Sequence, residues 1–240
     1  MADGLKLALF GLHRGGSAEP DTLVRRARLA EEVGFESFWI GDHIALPSAE
    51  VQGGDPPAQP RLEAVVALAY MAALTHRVRL AIGVIVLPQR QPVLLAKQLS
   101  TIDVLSKGRL IVGIGVGYLE PELLALGASL AERGARTDEY LAAMRALWDQ
   151  PTPSFAGRFV AFADVIERPR PVQRPHPPIV IGGHSPAAPG IVDPIDTGPA
   201  LPHDRRARVV ALGSIPAPLG GILCALSPAP SCWPQVWPSC

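Results

Sequence analysis

Apolar positions along this chain switch repeatedly between short unbroken runs and helical spacing. Residues 5–11 form a short apolar run, and residues 21–33 then carry Leu23, Ala27, Ala30 and Val33 at helical intervals. Arg25, Arg26, Glu31 and Glu32 fall largely on other faces, as an amphipathic helix requires. Gly34 stands where such a helix stops, and residues 35–40 begin a second strand. The pattern repeats with a helix at 62–75, a strand at 78–86, a helix at 93–105 and a strand at 108–113. Residues 120–127 and 136–148 predict two more helical pieces, the second with Tyr140, Met144, Leu147 and Trp148 on one face. Residues 152–167, with Gly157 and the aromatics Phe155, Phe159 and Phe162, read as a hairpin inserted before a fifth strand at 177–183.

Strands this rich in Val, Ile and Leu, each followed by a helix, predict an α/β fold with a parallel sheet covered on both sides. Residues 80–87 are apolar almost without interruption and demand burial on both faces. The character changes after Ala188. Residues 189–240 hold ten of the 26 prolines and all three cysteines but no Lys, Glu, Phe, Tyr or Met. Proline at this density interrupts helix and interior strand alike, so the chain divides into an ordered unit, 1–188, and a poorly structured tail, 189–240.

Composition narrows the function classes. Lys plus Arg and Asp plus Glu both total 22, so no overall field attracts nucleic acid or an anionic membrane surface. The amino terminus has no signal-peptide pattern, and no apolar run is long enough to span a bilayer, so the expectation is a cytoplasmic protein. Cys224, Cys232 and Cys240 match neither a zinc nor a redox spacing. The six histidines form no metal-binding pattern, and no metal site is expected.

The candidate chemistry lies at predicted strand ends. Asp42 and His43 follow the second strand, where a carboxylate beside an imidazole can orient the ring and suit it to proton transfer. In the plainer reading Asp42 caps a loop and His43 points to solvent, and adjacent residues need not face the same way. Residues 46–60, rich in Pro and Gly, make a long loop on the same side. Gly113-Ile114-Gly115-Val116-Gly117-Tyr118 closes the fourth strand; glycines there either admit a ligand close to the backbone or simply make a tight turn. The spacing is not that of the dinucleotide fingerprint. Gly182-Gly183-His184-Ser185 has the same form after the fifth strand and reads equally as an anion site or a plain turn. His13 is a weaker candidate after the first strand. Arg109 and His76 stand at the opposite, N-terminal ends of strands, the end associated with stability.

The order of these motifs resembles the luciferase-like monooxygenase family, most closely its deazaflavin (coenzyme F-420)-dependent oxidoreductases. The resemblance rests on residues 34–43 (GFESFWIGDH), 75–80 (THRVRL), 87–93 (LPQRQPV) and 95–99 (LAKQL), and on 108–117 (GRLIVGIGVG), 133–140 (RGARTDEY) and 177–185 (PPIVIGGHS). It implies a (β/α)8 TIM barrel that holds a tricyclic ring above the C-terminal strand ends. It also implies a cis non-prolyl peptide near Gly83-Val84 at the back of that ring, which makes Gly83, Val84 and Ile85 candidate cofactor contacts. The glycine turns Gly115, Val116, Gly117 and Gly182, Gly183, His184, Ser185 correspond to the ring edge and phosphate tail. Asp42 and His43 correspond to the acid/base or substrate-orienting residues, with His43 exchanging a proton and Asp42 aligning it. The implied activity is hydride transfer between F-420 and a small organic substrate, or alternatively FMN-dependent monooxygenation. Some deazaflavin enzymes carry a glutamate just after the Gly-x-Gly turn, where this chain has Tyr118.

The resemblance ends near residue 188. The tail looks like the product of a shifted reading frame, which the coding DNA across codon 188 would test. About five strands are then present, an incomplete barrel with open sheet edges. On that view the chain is a truncated, non-catalytic remnant, prone to aggregate, to form a homodimer or to be degraded.

Overall fold

The computed structural model describes residues 6–49, 56–182, 211–212 and 222–225. Five strands run parallel as neighbours: β1 (Leu7–Phe10), β2 (Ser37–Ile40), β3 (Arg79–Val86), β4 (Leu110–Gly115) and β7 (Ile179–Ile181). Helices α1 (Pro20–Glu32), α2 (Ala64–Leu74), α3 (Pro92–Leu105), α4 (Glu120–Ala125) and α5 (Arg133–Asp149) connect them. Strands β5 (Phe155–Ala156) and β6 (Ala161–Phe162) pair antiparallel as the expected hairpin before β7. The alternation read from the sequence therefore holds, and the five parallel strands match the incomplete barrel expected.

Local chemistry explains where the elements begin and end. The Glu19 carboxylate accepts the Asp21 and Thr22 amides at the start of α1, and Pro20 opens that helix. At its end Gly34 takes φ +93, and the Gly34 and Phe35 amides donate back to Glu31 and Ala30, a Schellman stop. That stop delivers the chain directly into β2. Leu23, Ala27 and Ala30 face the sheet and are buried. In β2, Phe38 and Ile40 lie in the core beneath the helices, while Trp39, on the other face, stays half-buried.

One strand boundary differs from the sequence pattern. The fourth strand was expected at 108–113 and runs at Leu110–Gly115, because Lys107 and Gly108 turn the chain at positive φ and Ile85 and Val86 pair with Ile114 and Gly115. Most of the tail lies outside the described residues; the described parts of it, β8 (Ala211–Leu212) and β9 (Ile222–Ala225), are short strands. Strand β9 pairs antiparallel with β1 and fixes four residues whose own pattern carries no strand signal. The sheet order is β7-β4-β3-β2-β1-β9-β8.

The N-terminal strand ends are structural. The Arg109 guanidinium donates to Ala72 O, Thr75 O, Thr75 Oγ1, Val78 O and Ser106 O, closing the C-terminal end of α2. The His76, Arg77 and Val78 amides all donate to the Glu31 carboxylate. Between α3 and α5, the buried Trp148 donates from Nε1 to Ser100 Oγ (3.0 Å) and Ala96 O (3.3 Å). No helix among the described residues is long and apolar enough to cross a membrane, and those residues hold no His, Cys, Asp or Glu group suited to a metal ion.

Candidate active site

The candidate residues gather at the C-terminal ends of the parallel strands. Asp42 and His43 follow β2, Val84 lies near the end of β3, Gly115 ends β4, and Gly182 follows β7. Asp42 and His43 diverge in role. Asp42 is buried and its carboxylate accepts from the Val86 amide at 3.0 Å, from Arg90 Nε at 2.9 Å and from Arg90 Nη2. The same Arg90 Nη2 donates to Glu63 Oε1 at 2.6 Å, while Glu63 Oε2 accepts the Val66 amide at the start of α2. Burial works against the Arg90 charge, but Asp42 and Glu63 outweigh it and hold the guanidinium pKa above its ordinary value. Asp42 thus ties the end of β2 to the end of β3 and, through Arg90, to α2.

His43 has a different carboxylate. Its Nδ1 lies 2.9 Å from Glu122 Oε2, at the start of α4, and Glu122 Oε1 accepts the Ile44 amide at 2.6 Å and the Ala45 amide at 3.2 Å. The Glu122 side chain is 2% exposed and that of His43 27%. The Tyr118 ring meets the imidazole edge to face, 6.1 Å between centroids. The expectation that Asp42 aligns His43 is therefore corrected: the buried Asp42 carboxylate is committed to Arg90 and the Val86 amide. His13 is buried beside the pair, its Nε2 accepting the Gly41 amide at 3.3 Å.

The third strand end carries the cis peptide at Gly83-Val84. The β3–β4 register shifts between Ile82 and Ile85, and the glycines around this point have identifiable tasks. A Cβ on Gly83 would stand 2.7 Å from Trp39 Cε3. One on Gly115 would meet Val84 Cγ2 at 2.5 Å, and one on Gly182 would meet Val84 Cγ1 at 2.8 Å. Val84 therefore projects into a space that Gly115 and Gly182 leave open, forming an apolar shelf across three strand ends. Ile85 differs from the expectation: it is wholly buried in the core, so its side chain serves packing. Gly113 lies within β4, where a Cβ would collide with Ile82 O at 2.2 Å. Only Gly117, at φ +76, performs the turn read from the sequence, with half-buried Val116 before it. Gly183, His184 and Ser185 lie outside the described residues.

Local pattern does not single out Glu122 and gives Arg90 no task. For Arg90 no local signal existed. For Glu122 local pattern gave none either, because its contact with His43 closes across 79 positions.

Chains of this kind are known. The family model for luciferase-like monooxygenases matches residues 6–191. The FMNH(2)-dependent dimethylsulfone monooxygenase of Pseudomonas putida is 34% identical over 165 residues, covering 68% of this chain and 43% of that protein. The F420-dependent glucose-6-phosphate dehydrogenase of Amycolatopsis mediterranei is 34% identical over 171 residues, covering 68% and 48%. The crystal structure of the monooxygenase RslO1 from Streptomyces bottropensis superposes with a TM-score of 0.59 at 35% identity, covering 72% of this chain and 52% of that one. This chain thus spans about half the length of these relatives. With that match over the strand ends that carry His43, Val84 and Gly115, the chain belongs to the luciferase-like monooxygenase family.

Proposed function

We propose that this chain serves hydride transfer between coenzyme F-420 and a small organic substrate. The observation that carries the reading is the Val84 shelf, opened by Gly115 and Gly182, at the same strand ends as a partly exposed imidazole. An apolar shelf bounded by glycines suits the face of a flat ring, and the described residues fit the ring portion of such a cofactor. Gly115, Val116, Gly117 and Gly182 would border it, and Gly183, His184 and Ser185 would meet the phosphate tail. The cofactor supplies the hydride chemistry when bound. The protein's share is to orient the ring, exclude water and manage the proton, which His43 would exchange with the substrate as general acid or base. Asp42 would keep the ends of β2 and β3 in place through the Val86 amide and hold α2 to them through Arg90.

FMN-dependent monooxygenation is the second reading. The P. putida relative, FMNH(2)-dependent by name, is as similar as the F420-dependent one. Separate titrations of the purified chain with F-420 and FMN, followed by fluorescence, distinguish them. F-420 binding that Val84→Arg abolishes is the expected result. Tight FMN binding without F-420 binding would favour monooxygenation, and binding of neither would support the non-catalytic remnant.

A further inference from the structure

We propose that Glu122 is the positioning residue of this site, locking the His43 ring with Nδ1–H turned inward and leaving Nε2 as a bare acceptor on the exposed edge. The inference rests on reading His43 as the proton-handling group, but its geometry stands independently. An ionised carboxylate has no hydrogen to give, so its contact with Nδ1 at 2.9 Å requires the imidazole to donate. The other carboxylate oxygen is occupied by two backbone donors, the Ile44 and Ala45 amides, which orient Glu122 before any ligand arrives. Those amides belong to the segment immediately after His43, so one side chain fixes both the imidazole and the backbone that carries it.

The two ends of the contact differ in environment. The Glu122 side chain is almost sealed, and that of His43 reaches solvent. The Nδ1 side faces the sealed end, which leaves Nε2 for the ligand. Tyr118 packs against the ring in a T-shaped contact, 6.1 Å between centroids. A neutral imidazole held this way accepts a hydrogen bond, so the ligand group opposite it is a donor, such as a hydroxyl. Fixing a tautomer through the second ring nitrogen is a general device for aiming a histidine.

The test needs neither cofactor nor turnover. Long-range proton–nitrogen NMR of the 15N-labelled chain, at a pH where His43 is neutral and with His43→Gln to assign its signals, reads the tautomer directly. Expected are a pyrrole-type Nδ1 and a pyridine-type Nε2, with the Nδ1 proton slow to exchange. In Glu122→Gln the side-chain oxygen can still accept the Ile44 and Ala45 amides while the amide nitrogen donates to Nδ1, so the tautomer should reverse. A merely structural glutamate would produce no such reversal. A wild-type ring protonated at Nε2, or the same tautomer in both proteins, would overturn the proposal. Should Glu122→Gln not fold, the exchange rate of the wild-type Nδ1 proton decides: fast exchange overturns it, and protection supports it. Failure of F-420 and FMN to bind would remove the functional reading and leave this result intact.

Discussion

Asp42 and Arg90 show how a residue read as chemistry can be architecture. Their side chains are 1% and 11% exposed, and removing Arg90 leaves the Asp42 charge buried without its guanidinium. Arg90→Ala is therefore expected to cost about 3–5 kcal/mol in urea unfolding. Loss of less than about 1 kcal/mol would show that Asp42 finds another donor. Glu122 and His43 form the complementary case, a chemical pair that adjacency in sequence concealed, because the contact closes across 79 positions. Polar residue types at a strand end were legible from the chain; which carboxylate meets which ring was not, since Asp42 is engaged by Val86 and Arg90 and His43 by Glu122, all distant in sequence.

At the scale of elements, the glycines at the ends of β3 and β4 separate close packing from turning. Gly115→Ala is expected to destabilise by roughly 1–3 kcal/mol by pressing a Cβ against Val84. Val84→Ala in the same chain should recover most of that loss, and additive costs in the double-mutant cycle would show that the two positions do not share the space. Gly113→Ala should cost more and resist rescue by Val84→Ala, because the obstructing atom is the Ile82 carbonyl rather than a flexible side chain. The sequence showed the glycine run but not this division of labour, which depends on the neighbouring strand. The hairpin behaves likewise. Its presence over 152–167 was legible, whereas its Phe155–Phe162 register and the Glu139 carboxylate that accepts the Arg158, Phe159 and Val160 amides were not.

For the whole molecule, three carboxyl groups give stability a pH dependence with opposing signs. Partial burial raises the pKa values of Glu31 and Glu139, but their backbone hydrogen bonds prevail and hold both below the usual 4.5. Their contribution is complete above 4.5 and is lost as pH falls through the lower folded values. Glu167 is opposite: burial outweighs Lys97 and raises its pKa, so its charge begins to cost stability as pH rises past 4.5 and does so fully above the folded value. Glu167→Gln should raise the melting temperature at pH 7 and progressively less toward pH 4.5. An equal gain at both pH values would mean that burial of its charge is not the cause. Local spacing by itself determined the strand–helix alternation, the parallel sheet and the gathering of polar and glycine residues at C-terminal strand ends, because periodicity and helix stops act over a few residues. The resemblance carried by those motifs located the cis peptide. Only the tertiary structure decided that Asp42 serves Arg90, that Glu122 serves His43 and that Gly115 and Gly182 make room for Val84. Each depends on which atoms meet across tens of residues, a choice made by strand register and burial rather than by local pattern.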